Sequence, residues 1–533
     1  MPTGWRSGGG RPRPEVWPEM SIGRPPEGWF PRVGGSSVGG MTGLSVVVIG
    51  AGFGGLGAAA ALRRAGFAVT VLERESRLGG VWRDNVYPGA ACDVPSSLYS
   101  WSWAPNPGWP RRYSGQADIL RYLERTAAEQ GLTDVVRFGC DVVGAAYRDG
   151  KWRVEIAGGE VVTADVLVPA VGQLSRPAVP DIPGADTFGG RIFHSARWDH
   201  SVDLAGKRVA VIGTGASAVQ FVPRIQPLVG HLDLFQRTPP WVVPKPDRRY
   251  TAAHHALFRR VPGARLAGRA SVWLSGELLT TAFTSAKPLG RAIEAVARLH
   301  LRARVQDPVL RAKLTPDYAI GCKRLLFSND YLPALTRPNV DVVTESITGI
   351  TRDGVVTTDG REHPADVIVY GTGFRSTDFL APLTITGTGG VDLRATAWAG
   401  GARAHLGMTV PGFPNMFLVY GPNTNLGGNS IIFMLERQAA YLVRTLRAMR
   451  AHGVAAVDVR AEVAERSDRE VQSRLRSSVW TGCESWYRGD GGRITTNWPG
   501  LVAEYRRRTR RPDPGDFHLI AGDHPEERST WTA

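Results

Sequence analysis

The sequence predicts an α/β protein with two parallel-sheet units and a helical insertion in the second unit. A short apolar run is followed by a glycine-rich turn twice in the chain, at LSVVVI–GAGFGG and at KRVAVI–GTGASA. Each turn leads into a helix-forming stretch and then a second β-rich run, which completes a βαβ unit. Residues 244–318 are dominated by Ala, Leu, Arg and His at helical spacing. We therefore predict two Rossmann-like dinucleotide-binding domains, FAD and NADP, with a helical insertion.

The first glycine turn is typical of a pyrophosphate site. Gly50, Gly52 and Gly55 form GxGxxG between strand and helix. Their missing side chains let backbone N–H groups and the helix N-terminus approach a pyrophosphate. Glu73 ends the next β-rich run, where a carboxylate suits a ribose diol. Glycine clusters also mark ordinary tight turns, but the βαβ context and Glu73 favour a nucleotide, and we assign this site to FAD.

The second glycine turn differs at the end of the strand that follows it. Gly213, Gly215 and Ala218 give GxGxxA, and the next strand pattern ends in Arg237 and Thr238 without a carboxylate. A carboxylate would repel a 2′-phosphate, whereas a guanidinium binds it through charge-assisted hydrogen bonds. The pattern therefore favours NADPH over NADH. A solvated surface arginine is the alternative interpretation of Arg237.

These patterns divide the chain into segments. Residues 1–40 are rich in Gly, Pro and Arg and lack the apolar core of a signal peptide, so we predict a disordered leader. The FAD-binding domain is predicted to consist of two separate stretches, 41–185 and 366–505. The NADP-binding domain likewise consists of 186–243 and 319–365, with the helical insertion, 244–318, between them. Residues 506–533 are predicted to form a C-terminal tail.

The formal net charge of +15 would by itself suit nucleic acid or an anionic membrane surface. High arginine usage in an Ala- and Gly-rich chain, and a positive field for two pyrophosphate cofactors, explain the charge equally well. Because zinc-finger spacing and an RNP-like motif are both missing, we expect no nucleic-acid partner. The apolar stretch 267–283 is interrupted by Arg269 and Glu277, so we expect no integral membrane segment.

The cysteines give a further expectation about compartment. The sequence has four, Cys92, Cys140, Cys322 and Cys483, and they show no CxxC spacing. This scatter argues against a disulfide framework, a zinc site or a dithiol redox centre. We expect no metal and a reducing, cytoplasmic location.

Two longer motifs resemble those of the Baeyer–Villiger monooxygenases. Residues 188–199 read FGGRIFHSARWD, which is similar to the FxGxxxHxxxW(P/D) signature of that family. Residues 79–93 read GGVWRDNVYPGAACD, which resembles a second family pattern. The resemblance runs from about Leu44 to about Phe517. The stretches DVIVYGTGF and GPNTNLGGNS look like the 4-hydroxyacetophenone monooxygenase-like branch.

The resemblance implies a catalytic pair. In GCKRLLFSNDYLPAL, Arg324 matches an arginine that sits over the flavin, and Lys323 matches a lysine that helps hold the 2′-phosphate. A guanidinium there stabilises a deprotonated flavin C4a-peroxide and the tetrahedral intermediate. Asp93 would orient and pair with Arg324. A turn cap for Asp93 and a structural ion pair for Arg324 are the alternative interpretations.

The remaining predicted site residues have supporting roles. His194 and Trp198, in the linker between the domains, take a coupling role in the resemblance. Gly371 and Gly428 stand where relatives carry a larger residue, which leaves the shape of the substrate pocket open. The full cofactor-binding set that we predict is Gly50, Gly52, Gly55, Glu73, Trp82, Asp93, Tyr99, Gly213, Gly215, Ser217, Ala218, Arg237, Thr238 and Lys323.

The resemblance implies that NADPH reduces FAD and that one oxygen atom of O2 is inserted beside a ketone carbonyl to give an ester or lactone. The nearest rival is an N- or S-oxygenating flavin monooxygenase, which shares the cofactors but has a shorter signature without the ending Trp198–Asp199. A different class is a flavoprotein that acts only as an NADPH oxidase or a binding scaffold. Peroxide release that matches NADPH consumption for every substrate would identify it.

Overall fold

The structure is a computed structural model that describes residues 43–261 and 263–522. The predicted leader over 1–40 lies outside the described residues. Two parallel sheets form the body of the chain. In each, a glycine turn connects one strand to the helix that follows it. The predicted α/β class with two dinucleotide-binding folds and a helical insertion is confirmed.

The first unit begins with the apolar run that precedes the first glycine turn. Its elements are β1 (Ser45–Ile49), α1 (Phe53–Arg64), β2 (Ala68–Leu72), α2 (Val81–Asp84), α3 (Gln116–Glu129), β3 (Val136–Arg137), β4 (Val142–Arg148), β5 (Lys151–Ile156), β6 (Val161–Ala164) and β7 (Val166–Pro169). The parallel sheet has the order β3-β2-β1-β7, and β4, β5 and β6 form a separate antiparallel layer. In β5, KWRVEI alternates exposed and buried residues, as expected of a strand with one covered face.

The second unit and its insertion follow. The elements are β8 (Arg191–His194), β9 (Arg208–Ile212), α4 (Ala216–Ile225), β10 (His231–Phe235), β11 (Val242–Val243), α5 (Ala252–Arg260), α6 (Ala264–Thr284), α7 (Lys287–Arg304) and α8 (Pro308–Lys313). Helices α5 to α8 all fall within 244–318. The longest of them, α6, buries Arg269 and Glu277, while Leu274 and Leu278 face solvent.

The chain then completes the second sheet. The elements are β12 (Leu326–Phe327), α9 (Tyr331–Leu335), β13 (Val340–Val343), β14 (Ile347–Ile350), β15 (Gly354–Thr357), β16 (Glu362–Pro364) and β17 (Val367–Tyr370). The sheet order is β13-β10-β9-β17-β8, so β17 is an interior strand of the second sheet. The predicted boundary at 365/366 is therefore wrong, because it cuts this strand away from the sheet to which it pairs.

The chain ends back on the first unit. Its last elements are β18 (Thr384–Thr386), α10 (Ile431–Ala451), β19 (Val454–Val459), α11 (Ala461–Arg476), α12 (Val502–Arg508) and β20 (Phe517–Ala521). Strand β20 pairs antiparallel with β19, and Phe517 is buried in the core of the first unit. The prediction of a peripheral tail from 506 is thus wrong as far as residue 522, because Phe517 supplies apolar area that the core buries.

The cysteine prediction also needs a correction. Cys322 and Cys483 form a disulfide across 161 residues of sequence, with their Cα atoms 6.1 Å apart. Cys92 and Cys140 are free and buried. The lack of CxxC spacing excludes a dithiol motif, but it carries no information about cysteines that the fold brings together from distant segments.

Helix length and apolarity also bear on membrane insertion. Among the helices of residues 43–261 and 263–522, none is long and apolar enough to cross a membrane.

Candidate active site

The glycine turn between β1 and α1 leaves no room for side chains. A Cβ at Gly55 would lie 1.8 Å from the carbonyl oxygen of Gly50. At Gly50 itself φ is +103°, and a Cβ would lie 2.8 Å from the carbonyl oxygen of Ala170. Helix α1 begins directly at this turn, with Gly52 as its N-cap and no side-chain cap. The first-turn N–H groups of a helix have no partners inside it, so the turn presents them to an anionic group.

Glu73 is fixed beside this turn by hydrogen bonds. Its side chain is buried, and its Oε2 accepts from the N–H of Ala51 at 2.7 Å. Its Oε1 accepts from the N–H of Glu75 at 3.1 Å and from Nη1 of Arg83 at 2.9 Å. A carboxylate has about four acceptor positions, so capacity remains for a hydroxyl donor. The turn and Glu73 together therefore fit a pyrophosphate joined to a ribose diol.

Trp82 and Tyr99 lie at the N-terminal end of α1. Trp82 Nε1 donates a hydrogen bond to the Tyr99 hydroxyl oxygen at 3.1 Å, and the two rings meet edge to face. Tyr99 also packs against Phe53, the first residue of α1, with ring centroids 5.3 Å apart. The structure thus brings both predicted aromatic residues to the first glycine turn.

The second glycine turn packs against the end of β17. A Cβ at Gly213, where φ is +107°, would lie 2.6 Å from the carbonyl oxygen of Gly371. A Cβ at Gly371 would in turn lie 3.2 Å from that of Ala218, which is fully buried. An alanine at 371 would therefore press on Ala218 of α4, the helix that follows this turn, which explains the glycine. Gly215 is the N-cap of α4.

Positive charge collects beyond the end of β10. The pKa of Lys323 is lowered, first by burial and then by the positive charge of Arg237, and Asp317 and Glu484 offset some of this shift. Residues 319–325 and the end of β10 thus place two cations near each other. Such a pair fits a phosphate dianion, which would relieve their repulsion.

The other predicted residues of this turn lie next to it. Thr214 Oγ1 donates to the carbonyl oxygen of Thr238 at 3.0 Å, which ties the glycine turn to the residue after Arg237. Ser217 lies in the first turn of α4 and contacts the hydroxyl of Tyr87, whose pKa burial raises to about 12.

The two units meet at an ion pair between Arg324 and Asp93. Arg324 Nε donates to Asp93 Oδ2 at 3.3 Å, with side-chain exposures of 34% and 11%. Burial alone would lower the pKa of Arg324, but the Asp93 carboxylate, together with smaller contributions from Tyr487, Cys92 and Tyr420, raises this pKa above its ordinary value. The guanidinium is therefore permanently charged, and a third of its side chain remains open. The predicted catalytic residues are brought together.

Gln220, which the sequence prediction did not include, fastens Asp93 to the second unit. Its Nε2 on α4 donates to the carbonyl oxygen of Ala91 at 2.9 Å and to Asp93 Oδ1 at 3.3 Å. Its Oε1 accepts from the Tyr87 hydroxyl at 3.0 Å and from the N–H of Ala91 at 3.2 Å. All donor and acceptor positions of the amide are used. In the sequence, Gln220 is a single amide within the apolar run AVQFV. This position indicates that the amide makes a buried hydrogen bond, but it does not identify the residue that is bound.

Buried tyrosines line the region around Arg324. Burial raises the pKa of Tyr99, Tyr420 and Tyr487, and the positive charge of Arg324 offsets some of the rise in each case. The pKa of Tyr487 is about 12, so this phenol keeps its proton at neutral pH. Tyr420 and Tyr487 lie outside the motifs and were not predicted, because irregular loops bring them to Arg324.

His194 and Trp198 are placed by packing. His194 ends β8, its Nδ1 accepts from the N–H of Ala196 at 3.0 Å, and burial lowers its pKa, so the imidazole is neutral at neutral pH. Trp198 packs between Phe193 and Phe221, with ring centroids 5.2 Å away in each case. Trp198 thus lies in the core between β8 and α4, whereas the buried His194 ring lies beside Phe374, with ring centroids 6.0 Å apart. Both environments suit a positioning role better than proton transfer.

Helix α6 closes over the loop that follows Tyr420. A Cβ at Gly428 would lie 3.0 Å from the side chain of Leu279, so a larger residue there would push the helix away. Next to it, Asn429 Nδ2 donates to Glu277 Oε1 at 3.0 Å. The unusual glycine at 428 is therefore matched by the close approach of the helical insertion.

Comparisons with known proteins agree with this arrangement. A family model described as pyridine nucleotide-disulphide oxidoreductase matches residues 44–256. A protein of Streptomyces coelicolor named Baeyer-Villiger monooxygenase is 50% identical over 483 residues, which cover 90% of this chain and 93% of that protein.

Solved structures are similar over the same length. An oxidized steroid monooxygenase bound to NADP has a TM-score of 0.80 and 32% identity, covering 90% of this chain and all of the other. A structure described as OTEMO in complex with FAD and NADP has a TM-score of 0.81 and 28% identity, covering 90% of this chain and 99% of the other.

The fold and the two glycine turns define a flavin- and NADP-dependent oxidoreductase. Given the identity and coverage of the relatives, the chain belongs to the Baeyer–Villiger monooxygenase family. Its cofactors are FAD and NADPH, and both glycine turns have the close backbone packing that a pyrophosphate site requires.

The closed geometry of the first turn leads to a prediction about flavin binding. Replacing Gly55 by Ala puts a methyl group against the carbonyl oxygen of Gly50 and forces the turn open, so we expect most of the bound FAD to be lost. Gly268→Ala is the matched control, because a Cβ there meets nothing within 4 Å. Flavin absorbance per mole of purified protein measures the effect. A Gly55→Ala protein with full flavin content would contradict it.

The charge beyond β10 leads to a second prediction. Arg237→Ala removes one of the two cations, and we expect the KM for NADPH to rise by roughly tenfold or more, since a hydrogen bond to a charged group contributes about 1.5–3 kcal/mol. The KM for NADH should stay within about twofold. Steady-state kinetics with both coenzymes, beside the exposed-arginine control Arg394→Ala, measure the difference. Equal changes for both coenzymes would remove Arg237 from the phosphate site.

Proposed function

We propose that this protein inserts one oxygen atom of O2 next to a ketone carbonyl and so forms an ester or lactone. The observation that carries the proposal is the ion pair of Arg324 with Asp93 at the junction of the two nucleotide units. Membership of the Baeyer–Villiger monooxygenase family supports it. Bound FAD supplies the redox chemistry, since it takes a hydride from NADPH and activates O2.

Arg324 supplies permanent positive charge at the reacting centre. Negative charge develops on oxygen when a carbonyl is attacked, and a fixed guanidinium in a partly dry site stabilises that charge strongly. A lysine or histidine there could lose its proton, whereas arginine does not. Asp93 holds the guanidinium by one nitrogen, Nε, which leaves the other N–H donors of Arg324 for substrate.

Asp93 is the positioning residue for this arginine. Its Oδ2 accepts from Arg324 and its Oδ1 accepts from Gln220 on α4, so two residues of the second unit hold the two carboxylate oxygens. A carboxylate held from two sides keeps the guanidinium within the narrow range of positions that a reaction tolerates. Lys323 and Arg237 hold the 2′-phosphate of NADPH in this account.

The raised pKa values of the tyrosines suit the same chemistry. Tyr487 and Tyr420 remain protonated near Arg324, so they add hydroxyl groups and aromatic surface but no negative charge. We propose an apolar or aromatic ketone as the substrate, in keeping with the resemblance to the 4-hydroxyacetophenone monooxygenase-like branch. The cytoplasm stays the proposed compartment, but the cysteines no longer support it, because disulfides such as Cys322–Cys483 are rare in a reducing cytosol.

A substitution at Arg324 tests the proposal. In Arg324→Ala we expect NADPH still to reduce the flavin, while ester formation falls by roughly 100-fold or more, since loss of one donor to a developing oxyanion has about this effect. NADPH consumption should then appear as hydrogen peroxide. Stopped-flow absorbance, peroxide assay and gas chromatography of the ester separate the steps, and the exposed Arg224→Ala serves as control. An undiminished ester yield in Arg324→Ala would refute the mechanism.

The type of oxygenation is tested by a substrate panel. We expect ester or lactone products from ketones of varied size, and little oxygen transfer to amines and thioethers offered at the same concentrations. Mass spectrometry of the products after NADPH-dependent turnover gives the comparison. N-oxides and sulfoxides as the main products, with no ester from any ketone, would instead identify an N- or S-oxygenating enzyme.

A further inference from the structure

We propose that the disulfide between Cys322 and Cys483 is a positioning link that holds Lys323 and Arg324 in the active site. This inference rests on the proposed function, because it assigns the link an effect on NADPH and on oxygen transfer. The bond joins the segment before β12 to the loop after α11, which are 161 residues apart in sequence.

The segment that carries Lys323 and Arg324 has little backbone support of its own. Residues 314–325 lie between α8 and β12 and form neither helix nor strand. Near one end of the segment, Trp241 Nε1 donates a hydrogen bond to the carbonyl oxygen of Tyr318 at 2.8 Å. At the other end, the N–H of Leu326 donates to the carbonyl oxygen of Trp241 at 3.0 Å. Between these anchors the backbone makes a local turn, in which the Cys322 N–H donates to the carbonyl oxygen of Ala319 at 3.1 Å, and side chains tie this turn to other segments.

Cys322 is the residue directly before Lys323, and it is completely buried. The preceding Gly321 has φ +88°, and a Cβ there would lie 2.3 Å from the ring of Phe283 on α6. The segment is therefore held between α6 on one side and the disulfide on the other. Movement of the sulfur would move Lys323 and Arg324 with it, because only one or two peptide units separate them.

The loop at the other end of the bond is itself fixed to the body of the protein. Four residues after Cys483, Tyr487 is buried close to Arg324. The carbonyl oxygen of Trp486 accepts from Ser376 Oγ at 2.8 Å, and that of Tyr487 accepts from Thr496 Oγ1 at 3.3 Å. The disulfide thus ties a weakly supported segment to an anchored loop, and both contribute residues around Arg324.

A covalent tie of this kind acts on catalysis through position. A displacement of about 1 Å at a reacting group can cost about 100-fold in rate. Loss of the bond should therefore affect the step that depends on Arg324 and the coenzyme contact that depends on Lys323. A bond that only stabilises the fold would leave both unchanged in the molecules that remain folded.

The experiment compares the wild-type protein with the double variant Cys322→Ala/Cys483→Ala. First, peptide mapping of the flavin-loaded wild-type protein without reductant should show the linked Cys322–Cys483 peptides. In the double variant, with rates normalised to bound flavin, we expect the KM for NADPH to rise by several fold while the KM for NADH holds. Ester formed per NADPH should fall by roughly 10- to 100-fold, with peroxide making up the difference.

The controls separate the possible outcomes. Cys140→Ala removes a buried free thiol elsewhere, and it should change neither KM nor ester yield. If the double variant is insoluble, Cys483→Ala opens the same bond from its half-buried end. Unlinked peptides in the wild type, or wild-type KM and ester yield in the variants, would overturn the inference. Arg324→Ala tests the proposed function itself, because an undiminished ester yield there contradicts that function independently of the disulfide. An unchanged NADPH KM in Lys323→Ala would remove Lys323 from the phosphate site and so overturn the coenzyme part of this inference.

Discussion

The contact on which the active site depends is the ion pair of Arg324 with Asp93, because its two members come from different units of the fold. Asp93 lies in the loop between α2 and α3 of the first unit, and Arg324 precedes β12 in the second. Gln220 binds the same carboxylate from α4, with its amide fully used. The junction of the units is therefore fixed by polar contacts of defined direction, which apolar packing alone would not provide.

The two glycine turns have the same backbone arrangement but differ in the charged residues beside them. Both are glycine turns between strand and helix, and both exclude side chains by contact with the backbone. The strand after the first turn leads to the carboxylate of Glu73, whereas the strand after the second leads to Arg237 with Lys323 nearby. A ribose diol is bound by a carboxylate that accepts its hydrogen bonds, whereas a phosphate dianion is bound by cations. We propose that this difference of a few charged groups directs FAD to the first turn and NADPH to the second.

The sequence predicted those features of the fold that depend on short, continuous segments. The βαβ units, the helical insertion and the pairing of Arg324 with Asp93 follow from short motifs and from the family resemblance. Long-range pairing was not accessible: β17 joins the second sheet, β20 pairs with β19, and Cys322 bonds to Cys483. Gln220 and Tyr487 were missed for the same reason, since a residue's partner across the fold leaves no trace in its own segment. The register of distant contacts is set by tertiary packing, which a single sequence does not display.

We propose that this site transfers oxygen from O2 to a ketone. The most direct measurement is turnover of the flavin-loaded protein with NADPH, an aryl methyl ketone and O2 labelled with oxygen-18, followed by mass spectrometry of the product. We expect an ester that carries one labelled atom, at the oxygen between the carbonyl carbon and the aryl group, with the carbonyl oxygen unlabelled. An ester without label, or NADPH consumption that yields labelled hydrogen peroxide alone, would contradict it.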